Sequence, residues 1–197
     1  TSKTNGMKKR NIFPKAKIKL GSLLLADPFE KDPRFKHSVV LLTEYDEEGA
    51  LGFIMNKPTG ISVSEAVDDF PYCDSLLYFG GPEETESLFY VHTVGEMLDD
   101  SIEIIPGLWH GGDYDKLRML LDTNQIGNDQ IRFYVGYTEW VPGALDFEVK
   151  KKYWIVSNVN NFFPLHDSLR GSWEKVLKSM GQEYAILANF PEDPNLN

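Results

Sequence analysis

Apolar positions in this chain fall in short runs and short alternations, interrupted again and again by Gly, Pro, Asn and Asp. Residues 20–26 read as a buried strand, stopped at Asp27-Pro28 because proline has no N–H to give to a ladder. Residues 38–43 form a second strand. The polar stretch Tyr45-Asp46-Glu47-Glu48-Gly49 then makes a hairpin loop into a third over 50–55, so these two strands are expected to be antiparallel neighbours. Residues 61–70 predict a helix capped by Ser62 or Ser64, with Ala66, Val67 and Phe70 facing inward. Strands follow around 76–79, 88–92 and 102–105.

Further along, Asp113 caps a predicted helix over 114–123, on which Leu117, Leu120 and Leu121 share a face. Residues 131–137 alternate Ile131, Phe133 and Val135 against Arg132, Tyr134 and Gly136, the period of a half-buried strand. Residues 142–150 predict a short helix and 154–159 another strand. A last helix carries Trp173, Val176, Leu177 and Met180 at i, i+3, i+4 and i+7, and ends at Gly181. Many short strands with hairpin-length links and separate helices indicate an α+β protein rather than a doubly wound parallel sheet. There is no repeat, low-complexity block or long linker, so one compact unit is expected over 20–197, after a flexible tail over 1–19.

Charge sharpens that boundary. The chain carries 20 basic and 30 acidic residues, a net charge of −10. Seven of the basic residues (Lys3, Lys8, Lys9, Arg10, Lys15, Lys17 and Lys19) lie in the first 19 positions, where there is no acid. The remainder therefore stands near −17. That density of like charge opposes phosphate backbones, so nucleic acid would have to be met through the tail alone. Apolar runs such as Leu23-Leu24-Leu25-Ala26 are too short to span a bilayer, and no signal segment is visible. The single cysteine, Cys73, suits a reducing compartment. A cytosolic protein without a membrane partner is expected.

The familiar chemical motifs are missing. The chain has no Gly-rich dinucleotide or nucleotide-phosphate loop, no Gly-x-Ser-x-Gly elbow and no His-Glu-x-x-His pair. The four histidines, His37, His92, His110 and His166, show no ligand spacing, and neither a metal nor a cofactor is expected. Cys73 sits next to Asp74, which disfavours a thiolate. His92 shares a strand face with Leu88 and Tyr90. A hydrogen-bonded, partly buried histidine is its simplest reading, and a catalytic one requires a nucleophile or carboxylate beside it.

Three strand-to-turn corners remain as candidates. Asn56 and Lys57 end an apolar strand ahead of Pro58 and offer polar groups to a ligand, although Asn56 can equally bond its own turn. Gly80-Gly81-Pro82 either lines an anion or ligand pocket or is a tight turn, which is the simpler reading. Trp140, before Pro142-Gly143, is either an exposed anchor for a partner or part of the core.

These corners, together with residues 21–28, 35–42, 48–58, 78–82, Val91-His92, 136–143 and Trp154, resemble the AlgH/YqgE family of bacterial proteins. The order and spacing of the segments carry the resemblance, which spans about 21–190. Ala144-Leu145-Asp146 stands where the family usually has Gln-Leu-Glu, and Lys57 where relatives often have arginine. The resemblance implies an α+β fold whose bent or bifurcated, mostly antiparallel sheet curls into a pseudo-barrel with flanking helices. It also implies a cytosolic bacterial protein, and some members carry a transcriptional-regulator label. It brings no catalytic residues.

Three functions follow in order. The first is a non-enzymatic binding or regulatory protein that meets an unidentified small ligand or protein partner at Asn56, Lys57, Gly80, Gly81 and Trp140. The second is an enzyme assembled around His92. The third is a DNA-binding regulator acting through the basic tail.

Overall fold

In the computed structural model, which describes residues 16–158 and 171–189, the strands are β1 (Leu23–Ala26), β2 (Val39–Asp46), β3 (Gly49–Ile54), β4 (Pro58–Ser62), β5 (Leu76–Phe79), β6 (Glu83–His92), β7 (Ile102–Ile105), β8 (Leu108–His110), β9 (Ile131–Trp140) and β10 (Trp154–Ser157). The helices are α1 (Val63–Ala66), α2 (Tyr114–Asp122), α3 (Ala144–Lys150), α4 (Ser172–Ser179) and α5 (Gln182–Ala188). The strands make one ten-stranded sheet whose main path runs β10-β1-β2-β3-β9-β6-β8-β7, with β4 and β5 branching from it. Every pairing is antiparallel except β5 with β9. The fold is therefore α+β, as expected. The end strands β10 and β7 do not pair with each other, so the sheet is not closed into a barrel.

The apolar runs Leu23-Leu24-Leu25-Ala26 and Val39-Val40-Leu41-Leu42 are continuous because the sheet is covered on both faces. Leu23, Leu25, Val39 and Leu41 face a core capped by Trp173, Val176 and Leu177 of α4 and Tyr184 of α5. Leu24, Ala26, Val40 and Leu42 face the opposite way, onto Trp140, Trp154 and Leu145 of α3. A third cluster, around Phe133, Tyr90 and Leu77, is covered by Leu117, Leu120 and Leu121 of α2. Alternation in β9 divides it between layers, with Phe133 on the α2 side and Tyr134 on the α4 side.

The branch is at the middle of β9. One edge of this strand is paired with β6. The other edge meets β5 over Phe133–Val135 and then β3 over Thr138–Trp140. Gly80 joins the two partners. Its N–H donates to Val135 O at 2.8 Å, and its carbonyl accepts from Ile54 N at 2.8 Å. No side chain fits at this crossing: a Cβ on Gly80 would lie 2.3 Å from Gly136 O, and one on Gly136 would lie 2.1 Å from Gly81 O. Gly136 is also left-handed, with φ of 74°. Its role is close approach within a continuing strand, which is why β9 runs on to Trp140 instead of ending at residue 137.

Other departures have local causes. The helix expected over 61–70 is a single turn: Ser62 and Glu65 form a reciprocal capping box, but Val67 is already extended and Asp69 is left-handed. Strands β4 and β8 have no counterpart among the expected elements, β6 begins five residues early at Glu83, and α5 starts directly after Gly181. Residues 16–19, assigned to the tail, join the body, since Ala16 and Ile18 pack on the α3-side core and Lys19 N donates to Ser22 Oγ at 3.0 Å. Residues 1–15, residue 159 of the predicted last strand and His166 lie outside the described residues. Among the described residues, no helix is long and apolar enough to cross a membrane.

Gly60 separates the effect of the branch from simple turn strain, because it too is left-handed, at φ of 87°, yet a Cβ added to it would meet no atom within 4 Å. Gly60→Ala is expected to cost about 1 kcal/mol from backbone strain alone. Gly136→Ala adds a backbone clash and is expected to cost at least about 3 kcal/mol. Urea denaturation midpoints check the difference, and equal losses would show that the crossing is not tight.

Candidate functional site

Asn56 follows β3 and bridges two chain segments. Its Oδ1 accepts from Val39 N at 2.9 Å, and its Nδ2 donates to His37 O at 2.8 Å. Lys57 Nζ donates to Lys36 O, while Lys57 O accepts from Phe79 N at 2.7 Å. Burial pushes the Lys57 ammonium below its ordinary pKa, with help from nearby Lys36 and against the pull of Glu174. His37, left-handed at φ of 55°, stacks on Trp173 with centroids 4.2 Å apart, and its Nδ1 is 3.7 Å from Glu174 Oε1. Asn56 and Lys57 thus fasten the loop before β2 to the end of β3, and His37 of that loop rests on the start of α4.

The other candidates do not converge on this corner to make one surface. Gly80 and Gly81 adjoin it, but both are buried, and a Cβ on Gly81 would strike the Tyr137 carbonyl at 2.2 Å. Trp140 is only 6% exposed, which excludes the anchor reading. Its indole donates to Glu148 Oε2 at 2.6 Å, and the same oxygen accepts from Trp154 Nε1 at 2.9 Å. The two indoles meet edge-on at 5.9 Å. His92 pairs with Ile131 at the start of β9, whereas Trp140 closes its far end. Nine strand steps separate those positions by about 30 Å.

His92 is fully buried, at 0% exposure. Val94 N donates to its Nδ1 at 3.2 Å, so the proton is carried on Nε2, which faces Gly111 O at 2.8 Å. Ser101 Oγ lies 3.2 Å from the same Nε2, but Ser101 donates to Leu98 O at 2.8 Å. This serine–histidine pair is therefore set the wrong way for base catalysis, since a protonated ring nitrogen cannot take the serine proton. Among the described residues, no carboxylate hydrogen-bonds the ring. Desolvation holds the pKa values of His92 and His110 below the ordinary value, and nearby Tyr90, which donates to Gly112 O at 2.5 Å, is pushed up to about 12 by its own burial. Among the described residues, no group of three or more His, Cys, Asp or Glu side chains is placed to hold a metal.

An open cleft of about 710 Å³ lies elsewhere, bounded by residues 16–18, the turn after β1, α3, β10 and α5. Its inner surface includes the buried side chains of Trp154, Val156 and Tyr184, with Ile155, Val149 and Leu187 beside them. Lys17, Lys150 and Lys152 line its exposed margin, as do Asp27 and Asp146. Both carboxylates are already engaged: Asp27 Oδ1 accepts from Phe29 N at 2.9 Å, and Asp146 Oδ1 accepts from Tyr45 OH at 2.7 Å. The latter bond raises the Tyr45 hydroxyl pKa. Stretches as distant as residues 16–18 and α5 build this cleft, and sequence reasoning missed it. The available signal was the run Lys150-Lys151-Lys152 in an otherwise acidic body, beside an apolar strand.

The comparisons with known proteins agree with the architecture. The profile of the AlgH-like family matches residues 23–185. A UPF0301 protein of Chlorobaculum tepidum is 38% identical over 180 residues, covering 91% of this chain and 96% of that protein. A UPF0301 protein of Cytophaga hutchinsonii is 34% identical over 178 residues, covering 90% of this chain and 98% of its own. Two solved structures share the fold, each at 22% identity. A Corynebacterium diphtheriae protein has a TM-score of 0.72 and covers 91% of this chain and 96% of its own. The AlgH protein of Pseudomonas aeruginosa has a TM-score of 0.70 and covers 92% of this chain and 100% of its own.

The buried histidines set a pH dependence. Their folded pKa values lie below the unfolded value near 6.5, so the unfolded chain binds protons first as pH falls. Their contribution to stability is complete above about pH 7 and is lost as pH drops through 6.5 toward the folded values. His92→Gln is expected to flatten, without abolishing, the fall in unfolding free energy between about pH 7 and 5, because His110 still titrates. Denaturant titrations at several pH values check this, and an unchanged slope would contradict it.

Proposed function

We propose that this chain, which belongs to the AlgH-like family, is a non-enzymatic binding protein that takes a small, largely apolar ligand in the cleft between β10, α3 and α5. The observation that carries the reading is the cleft itself: about 710 Å³, with buried apolar walls and a few polar groups at its margin. That volume falls in the range of about 300–1,000 Å³ typical of small-molecule sites, whose walls are mainly apolar with few orienting polar groups. The protein-partner form of the reading loses its named anchor, because Trp140 belongs to the core.

The enzyme reading around His92 is disfavoured by the position of the ring proton on Nε2, the nitrogen that faces Ser101. Direct action on DNA would rest on a basic segment most of which lies outside the described residues. A reducing, cytoplasmic setting fits a chain with one cysteine, which is buried here. A regulatory role, in which ligand occupancy alters how the protein meets others, is compatible with this site and is secondary to the binding itself.

The test uses N-phenyl-1-naphthylamine, a neutral apolar fluorophore, added to the folded protein. Saturable 1:1 enhancement is expected, and Leu187→Trp, which fills the cleft from α5, is expected to weaken it at least tenfold while the melting temperature stays within a few degrees. Absence of binding by the native protein, or binding indifferent to the filled cleft, would remove the proposal.

A further inference from the structure

The cleft also carries a sign. The chain has a net charge of −10, yet three of its lysines, Lys17, Lys150 and Lys152, line this one opening. None of the three makes a side-chain ion pair or hydrogen bond among the described residues. The two carboxylates that share the lining, Asp27 and Asp146, keep their charge while accepting from Phe29 N–H and the Tyr45 hydroxyl, so three lysines stand against two carboxylates around the opening.

A structural role accounts for only part of this arrangement. Lys150 closes the last turn of α3, where a cation is favoured by the helix dipole. That explanation does not reach Lys152, which sits beyond the helix in a left-handed conformation at φ of 65°, or Lys17, which comes from a distant segment. Between Lys150 and Lys152, Lys151 packs its ammonium 5.5 Å from the Phe147 ring and is not part of the lining. The run of three lysines therefore divides: one covers a neighbouring ring, while the two flanking it border the cleft.

Depth adds the remaining element. Trp154, Val156 and Tyr184 are buried, whereas the three lysines are exposed, so the cleft grades from an apolar floor to a cationic margin. A molecule matching that gradient has an apolar chain to displace water from the floor and an anionic head for the margin. A neutral chain would leave the cations unmatched, and a cationic head would be repelled. We infer that the cleft selects a single-chain amphipathic anion, an apolar chain ending in a carboxylate, with Lys150, Lys152 and Lys17 around its head. This assignment rests on the cleft being the binding site and adds the class of ligand.

The experiment is displacement of N-phenyl-1-naphthylamine from the full chain by three matched twelve-carbon compounds, dodecanoate and dodecyltrimethylammonium below their micelle concentrations and dodecanol below its solubility limit. Dodecanoate is expected to displace the probe at a concentration at least tenfold lower than dodecanol, with dodecyltrimethylammonium the weakest. The dodecanoate-to-dodecanol ratio should narrow as salt rises from about 0.05 to 0.5 M, because exposed charges are screened. In K150E/K152E, whose melting temperature reports whether it folds, the ratio should fall to one or below. K150Q/K152Q serves the same purpose if charge reversal unfolds the protein. Equal displacement by dodecanoate and dodecanol in the native protein, or a preference that survives both double substitutions, would overturn the anion assignment while leaving the cleft as a binding site. Failure of the probe to bind at all would instead remove the underlying reading.

Discussion

Three strands must share β9, and this is possible only because two backbones cross there without side chains between them. Gly80 gives its N–H to Val135 on β9 and its carbonyl to Ile54 on β3, while Gly136 leaves space for the Gly81 carbonyl. Buried backbone polar groups need partners, so a sheet that forks must supply them across the fork. Here one residue supplies both. The division into layers follows: β5 and the first half of β9 carry the α2 side, and β3 and the second half of β9 carry the α3 side. The opposite face stays continuous beneath α4 and α5.

The same crossing explains which parts of the molecule could be read from its sequence. Alternation over 131–137 shows a strand because successive side chains go to different layers, and both layers are apolar only where helices cover them. The remainder of β9 was hidden because Gly136 resembles a stop, although it is there for proximity to a neighbouring strand. The short β4 begins Pro58-Thr59-Gly60, a sequence with little preference for extension, and depends on its pairing with β5. Ser62 was recognisable as a cap, but the length of its helix depended on Val67 and Asp69 turning away. Helix α5 was obscured by Gly181, which lies between two helices rather than after the last one.

Function was less legible for a related reason. Glycine, asparagine and tryptophan at strand ends suit ligand contact, but they equally suit the mechanics of a forked sheet, and here mechanics accounts for them. Asn56 ties His37 to Val39, Gly80 and Gly81 make the crossing, and Trp140 shares the Glu148 carboxylate with Trp154. The cleft draws on residues 16–18, 27–29, α3, β10 and α5, and no spacing rule links such segments. Only the lysine run was a local clue, and a charge run more often marks a solvated face.

The shared Glu148 oxygen has a spectroscopic consequence. Two of the four tryptophans are bound to one carboxylate, and one of them, Trp154, also forms part of the cleft wall. The rings lie 5.9 Å apart, close enough for excitonic coupling, so the protein carries a chromophore pair at its proposed binding site. A change in the geometry or surroundings of Trp154 would alter the couplet that the strong indole transitions of the pair give in the far-ultraviolet circular dichroism, an optical reporter of cleft occupancy that needs no added dye.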